Sequence, residues 1–172
     1  MAREAFCTAY GALPASYAGR KEVRLKVHMA ATMAGMAFTQ AGLGLCHAMA
    51  HSLGGMFHVS HGRLNAILLP AIIDINNAGA NHRYADLAKR LGFGTGADSM
   101  ALRNLKNALI RLRKGLDLPE NLQQAGIDPV ILKANMDHLI EAALNDACCN
   151  TNPVKVEASM VRKVLEAVMG HG

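Results

Sequence analysis

Residues 42–70 read GLGLCHAMAHSLGGMFHVSHGRLNAILLP and contain four of the eight histidines in this 172-residue chain. On a helix, His47 and His51 lie one turn apart on the same side. The Gly54–Gly55 pair then predicts the end of that helix, which would allow His61 to fold back towards the other two imidazoles. Imidazoles brought together in this way are typical of a metal site. The stretch therefore predicts a helix, a turn and a second helix that meet at a cation.

Two common zinc motifs do not fit this stretch. Ala, Met and Ala occupy positions 48–50 between His47 and His51, so the Glu that acts as general base in the zinc proteases is missing. Cys46 has no second Cys at zinc-finger spacing. The pattern therefore indicates a metal site of another kind.

A longer ordered pattern surrounds these histidines. It consists of Gly42-Leu43-Gly44, His47, His51, Leu53-Gly54, Ser60-His61-Gly62, Asn65, Ala66, Leu69 and Pro70. It continues downstream at Asn76, Tyr84, Ala88, Leu118-Pro119, Ala125-Gly126-Ile127 and Asn152-Pro153. This pattern resembles the signature of the iron-containing (group III) alcohol dehydrogenases, in their helical C-terminal domain. One departure is Ser60, where the family commonly has Pro, although Ser can also occupy the turn before a helix.

The resemblance implies a fold and a set of site residues. The implied fold is all-α, a multi-helix bundle like the C-terminal domain of that family. His47 and His61 match the family's metal ligands, and the implied metal is Fe²⁺, or Zn²⁺ in some members. His51 matches the histidine near the nicotinamide, for which a catalytic role in proton transfer is expected. Phe38 and Cys148 are expected to line the substrate pocket, with ordinary core packing as the alternative for both.

Two parts of the family pattern are missing from this chain. The family has two further ligands, an Asp and a His one helical turn apart, upstream of the glycine-rich stretch, but residues 1–41 contain no Asp-x-x-x-His. The Rossmann-like domain and its glycine-rich loop are missing as well. We therefore expect residues 1–172 to form a single helical domain, the C-terminal part of a longer enzyme without its nucleotide-binding domain.

The resemblance also implies the activity of that longer enzyme. It would be an NAD(P)-dependent alcohol dehydrogenase that interconverts primary alcohols and aldehydes, with NAD(P) bound mainly by the missing domain. The chain alone is expected to be inactive. The alternative is a non-catalytic helical domain for interaction or oligomerisation that has kept the family signature.

The rest of the chain shows helical periodicity and no convincing alternating strand. Aromatic residues are only 4% and Trp is absent, which favours helices over strands. We predict helices at 3–12, 20–39, 81–91, from 98 or 99, at 128–146 and at 157–169, with one face of the second buried through Val23, Val27, Ala30, Ala34 and Phe38. A further helix begins near His61 and is predicted to bend or end at Pro70.

The composition of the chain indicates whether it binds nucleic acid and whether it spans a membrane. The formal charge of +5 invites a nucleic-acid interpretation, but the basic residues between 99 and 116 alternate with leucines at helical spacing and no aromatic residues are interleaved. A solvated helix face explains them, so no nucleic acid is expected; binding of nucleic acid or an anionic surface is the alternative. No apolar run reaches the roughly 18 residues of a membrane span.

The sequence also predicts a cytoplasmic protein that associates with itself. The amino terminus has no signal-peptide pattern, and the four Cys show no framework spacing, which predicts free thiols. Without its nucleotide-binding domain, the chain should expose apolar surface, so a homo-oligomer is expected.

Overall fold

The computed structural model describes residues 1–94 and 96–170, and within these residues it consists of α-helices, turns and no strand. The helices are α1 (Ala2–Tyr17), α2 (Arg24–Ala41), α3 (Leu45–Phe57), α4 (His61–Arg90), α5 (Asp98–Gly115), α6 (Pro129–Ala134), α7 (Met136–Asn145) and α8 (Ala158–Val168). Two short 3₁₀ helices cover Lys21–Val23 and Ala147–Thr151. The expected all-α fold is confirmed. None of the helices in the described part of the chain combines the length and apolarity needed to cross a membrane.

The chain divides into two compact units. The first comprises Met1–Gly42 and Asn81–Leu116, and the second comprises Leu43–Ala80 and Asp117–Gly172. Helix α4 contributes residues to both. His47, His51 and His61 all belong to the second unit.

In the first unit, α1 and α2 pack against each other through small residues. Ala5, Ala12 and Ala30 are buried, and their short side chains allow the two helices to approach closely. The predicted buried face of α2 is only partly present, because Ala30 is its one buried residue and Phe38 is 45% exposed. A groove of about 490 Å³ between α1 and α2 leaves this face open to solvent.

A separate small core lies in the other part of the first unit. Ala85 and Ala88 of α4 pack against Ala101 and Leu105 of α5. Helix α5 therefore buries an apolar stripe and leaves its cationic side chains largely at the surface, as an amphipathic helix does.

The second unit has the larger core, to which five helices (α3, α4, α6, α7 and α8) and the 117–128 loop contribute. Its fully buried large side chains are Leu45, Met49, Leu53, Leu64, Ile67, Leu68, Leu122, Ile127, Leu132 and Leu139. The loop is joined to the end of α8 by backbone hydrogen bonds, from Leu122 N–H to the Val168 carbonyl (2.8 Å) and from Gln123 N–H to the Met169 carbonyl (3.1 Å). This core fixes the buried side of α3 and so determines which of its residues face outward.

Two prolines lie within helices, one beyond the predicted end of the first helix at residue 12 and one where a bend or an end is predicted. Helix α1 continues through Pro14 to Tyr17. Helix α4 continues through Pro70 to Arg90, so the helices predicted from His61 and over 81–91 are one. A proline removes one backbone hydrogen bond and crowds the preceding turn. At Pro70 the buried residues Ile67, Leu68, Ile72 and Ile73 on either side hold the helix against the core and outweigh that loss.

Two other helix limits also differ from the prediction. Helix α3 does not end at Gly54–Gly55 but continues to Phe57, because a helical glycine costs only about 1 kcal/mol relative to alanine. The predicted helix over 128–146 begins as expected, with the Asp128 side chain accepting from Val130 N–H (2.7 Å). It is interrupted at Asn135, whose side-chain amide donates to the Ile131 carbonyl (2.8 Å) and so competes with the backbone hydrogen bonds.

Candidate metal centre

Helix α3 has an apolar face and a histidine face. Leu45, Met49 and Leu53 are at most 1% exposed and lie in the core. His47 is half-buried and His51 is exposed, on the opposite side of the helix. The burial of the apolar face therefore directs both imidazoles away from the core, as the four-residue spacing predicts.

A short turn brings a third imidazole to this face. Helix α3 is followed by His58, which adopts the left-handed conformation (φ 55°) and whose N–H donates to the Gly54 carbonyl (3.0 Å). Three residues later α4 begins with His61. The ring centroids of His47 and His61 are 5.2 Å apart, those of His51 and His61 are 5.1 Å apart, and those of His47 and His51 are 6.3 Å apart. The three rings therefore lie together, as the sequence predicts.

The separation between His47 and His61 fits two ligands of one cation. With metal–nitrogen bonds near 2.0–2.1 Å and a tetrahedral angle, two imidazole centroids lie roughly 5 Å apart. His61 Nε2 lies 2.8 Å from Asn65 Nδ2, which donates to its lone pair. A cation at that nitrogen would take the place of the amide proton. The donor set therefore fits a divalent metal such as Fe²⁺ or Zn²⁺, because neutral imidazole suits both.

Electrostatics favour neutral imidazole at His47. Burial is the main cause that lowers the pKa of His47, and the neighbouring His61 and His51 lower it further, while Asp146 acts in the opposite direction. A lowered pKa leaves the ring uncharged, with a free lone pair, at neutral pH. This is the form in which a histidine binds a metal.

Asp146, which the sequence analysis did not single out, holds His51. His51 Nδ1 donates to Asp146 Oδ2 at 2.8 Å, and the backbone N–H of Cys148 donates to Asp146 Oδ1 at 2.8 Å. Burial would raise the pKa of Asp146, but the hydrogen bonds from the Cys148 backbone and from His51 outweigh it and the pKa is lowered. The only sequence signal for Asp146 is that a carboxylate follows the end of a helix, since its partner is ninety-five residues away in sequence.

The two predicted pocket residues lie in different units. Cys148 is in the second unit, in the 3₁₀ helix beside His51, and its thiol, the Asp146 carboxylate and the His51 ring have ligand atoms within 4.8 Å of one another. Burial and the adjacent Asp146 raise the pKa of Cys148 to about 11, so its sulfur is a thiol at neutral pH. Phe38 is in the first unit, where it lines the groove between α1 and α2.

A pair of amides fixes the start of α3 to the segment that carries Asp146 and Cys148. Asn152 Oδ1 accepts from Leu45 N–H (3.1 Å) and from Asn76 Nδ2 (3.1 Å), while Asn152 Nδ2 donates to Asn76 Oδ1 (2.8 Å) and to the Val154 carbonyl (2.9 Å). The neighbouring hydroxyl of Thr151 donates to the Leu43 carbonyl. The N-cap residue Gly44 has no side chain to cap α3, and Asn152 instead accepts from the Leu45 N–H in the first turn of the helix.

Comparison with known proteins identifies a consistent set of relatives. Residues 1–169 match the sequence model described as the Fe-containing alcohol dehydrogenase family, C-terminal. The chain is 38% identical over 153 residues to an NADPH-dependent butanol dehydrogenase from Clostridium saccharobutylicum, covering 89% of this chain and 39% of that protein.

Solved structures agree with this match. A 1,3-propanediol oxidoreductase superposes with a TM-score of 0.88 and 29% identity, covering 97% of this chain and 44% of the other. An iron-containing alcohol dehydrogenase from Thermococcus thioreducens gives a TM-score of 0.86 and 33% identity, covering 96% and 42%. The chain therefore spans about two fifths of the length of these similar proteins.

Proposed function

The chain belongs to the iron-containing alcohol dehydrogenase family, and from this premise we propose that it is the metal-binding, helical part of an NAD(P)-dependent alcohol dehydrogenase that interconverts primary alcohols and aldehydes. The observation that carries the proposal is the meeting of His47, His51 and His61 on one face, with centroids 5.1–6.3 Å apart. In this proposal His47 and His61 bind Fe²⁺, or Zn²⁺, together with ligands from outside residues 1–172.

The proposed chemistry divides the roles among the chain's own residues. When bound, the cation would supply Lewis-acid polarisation of the substrate oxygen. His51 would take the hydroxyl proton during alcohol oxidation and return it during aldehyde reduction. Asp146 occupies His51 Nδ1, which leaves Nε2 as the nitrogen available for proton transfer. The hydride acceptor would be NAD(P)⁺, bound mainly by polypeptide outside this chain.

The substrate pocket and its specificity belong to the same proposal. Cys148 lies beside His51 and would form part of the pocket wall. Phe38 is 45% exposed, on an apolar face of α2, which supports a role in contacting a substrate or another surface more than a role in a packed core. Small alcohols and aldehydes suit a wall formed by Cys148, because a thiol offers contacts to short apolar chains.

We also propose that residues 1–172 act as one helical domain of a longer cytoplasmic enzyme that forms homo-oligomers. The four cysteines are free thiols, as suits a reducing compartment. Four large apolar side chains on α2 are 45–67% exposed, which supports contact with another surface: Leu25, Met29, Met36 and Phe38. These exposed side chains also support the second candidate, an interaction domain without catalysis. This candidate differs from the first because it predicts no activity even when the missing part is supplied.

A chimera tests the activity. The part of the Clostridium saccharobutylicum butanol dehydrogenase upstream of the matched region is joined to this chain, and NADP⁺ reduction with a primary alcohol is followed under anaerobic conditions with Fe²⁺. We expect activity in the chimera and none in the chain alone. His47→Ala and His61→Ala should each lower kcat/KM by more than roughly 100-fold, since even changes to residues behind metal ligands commonly cost 10–100-fold.

His138→Ala is the matched control, because this exposed histidine lies on α7 in the same unit. It should leave kcat/KM within about twofold of the parent chimera, as a surface substitution. A folded chimera that binds metal but lacks activity would favour the interaction domain. Full activity in His47→Ala and His61→Ala would contradict the ligand assignment.

A further inference from the structure

A second group of side chains with metal-ligand atoms shares His51 with the three histidines. It consists of His51, Asp146 and Cys148, whose ligand atoms all lie within 4.8 Å of one another. One histidine comes from α3, while the carboxylate and the thiol come from the start of the 3₁₀ helix after α7. Two hydrogen bonds of 2.8 Å already fix the Asp146 side chain between these segments. The group is therefore held in place by the fold rather than formed by a mobile surface.

The chemistry of this group differs from that of the His47–His61 pair. One imidazole, one carboxylate and one thiol offer nitrogen, oxygen and sulfur, a mixture that suits Zn²⁺ because sulfur favours the softer divalent metals. In a tetrahedral zinc site, with bonds of about 2.0–2.3 Å, ligand atoms lie roughly 3.5 Å apart. The ligand atoms lie within 4.8 Å of one another, so binding requires them to approach by at most about 1.3 Å.

We propose that His51, Asp146 and Cys148 form a second cation site, selective for Zn²⁺, with a fourth position left to solvent. Binding replaces the proton between His51 Nδ1 and Asp146 with the metal, and that proton moves to His51 Nε2. The Cys148 thiol loses its proton to solvent as the zinc–sulfur bond forms, so no oxidant or reductant is needed. The site is contained in this chain and does not need the ligands that the proposed function places elsewhere.

The effect of zinc on the enzyme rests on the proposed function. Zinc at this site would occupy the imidazole proposed as the proton carrier and draw in the thiol proposed as pocket wall. Zn²⁺ would then inhibit turnover even when the site at His47 and His61 is filled.

Cobalt absorption spectroscopy tests the site on the full chain. Co²⁺ is added anaerobically, and the near-ultraviolet charge-transfer band of cobalt bound to thiolate is recorded. The His47–His61 pair contains no sulfur, so only a thiolate ligand gives this band. We expect the band in the wild type, its loss when Zn²⁺ is added, and its retention in a chain carrying both His47→Ala and His61→Ala.

Two cysteine variants identify the sulfur. Cys148→Ser should abolish the band, while Cys149→Ser should retain it, because the Cys149 thiol donates to the Ala143 carbonyl (3.1 Å) instead. Asp146→Asn keeps a side-chain oxygen for the Cys148 N–H and should weaken Co²⁺ binding at least about 10-fold. Circular dichroism confirms that each variant is folded.

The outcomes separate this site from the proposed function. A wild type without the band, a band that survives Cys148→Ser, or unchanged Co²⁺ affinity in Asp146→Asn would overturn the second site. None of these results bears on activity in the chimera. Conversely, an inactive chimera would leave the thiolate band, and with it the second site, unaffected.

Discussion

Replacing Asn152 with Ala should destabilise the second unit more than any surface change. Its amide makes four hydrogen bonds, to Leu45 at the start of α3, twice to Asn76, and to Val154. Among the residues the structure describes, Asn76 is the one polar side chain that is buried, at 4% exposure. Asn152→Ala therefore removes four hydrogen bonds. It also leaves both polar atoms of the buried Asn76 amide without their bonds to Asn152.

The expected size follows from these contacts. Each hydrogen bond contributes about 1 kcal/mol net, so the four together contribute about 4 kcal/mol. Water that enters the space left by the side chain would recover part of this, whereas the unsatisfied Asn76 amide would add about 1–3 kcal/mol. We expect the free energy of unfolding to fall by about 4 kcal/mol. For a chain of this size that lowers Tm by roughly 10 °C.

Urea denaturation followed by circular dichroism measures the change. Asn77→Ala is the matched control, because Asn77 is the exposed neighbour of Asn76 on α4, and it should change stability by less than about 0.5 kcal/mol. In a double-mutant cycle, Asn76→Ala and Asn152→Ala together should cost at least about 1 kcal/mol less than the sum of the single changes. A loss below about 1 kcal/mol in Asn152→Ala, or strictly additive effects, would refute the reasoning.

Three further substitutions have defined outcomes in the same denaturation assay. A Cβ at Gly79 would lie 2.5 Å from the Pro153 carbonyl oxygen, so Gly79→Ala should destabilise the chain. A Cβ at Gly55 meets nothing within 4 Å, so Gly55→Ala should stabilise the chain by up to about 1 kcal/mol. Stabilisation by both substitutions would contradict the close approach at Gly79. Arg162→Ala should cost less than about 0.5 kcal/mol despite its 2.6 Å bond to Asp137, because both side chains are largely exposed, and a loss above 1 kcal/mol would show that the pair matters. Leu53→Ala should cost about 3 kcal/mol through a core cavity, and a loss under 1 kcal/mol would mean that the site collapses around it.

The sequence predicts the helical fold and the meeting of three histidines because both depend on local patterns. Periodic apolar residues define the buried side of α3, and the four-residue spacing places His47 and His51 opposite that side. The turn between α3 and His61 is so short that the start of α4 must lie close to the end of α3. These features involve residues close in sequence, where spacing and turn length are sufficient.

Features that depend on distant residues could not be predicted in this way. The Asp146–His51 hydrogen bond and the Asn152–Asn76 amide pair join segments that only the folded core brings together. Gly54–Gly55, which predicts a helix end, and Pro70, which predicts a bend or an end, both lie inside helices, because their buried neighbours supply more free energy than these residues remove. Of the predicted buried face of α2, Ala30 is buried while Phe38 is 45% exposed, because periodicity shows which side is apolar but not what covers it.

The close approach of Gly44 to Asn152 carries an evolutionary consequence. A Cβ at position 44 would lie 2.9 Å from Asn152 Oδ1, the atom that accepts from the first turn of α3. A larger residue at 44 is therefore compatible only with a shorter or displaced residue at 152. Among proteins that descend from a common ancestor, positions 44 and 152 should therefore change together. A lineage that changed one of them and kept the other should have shifted the segment that carries residue 152.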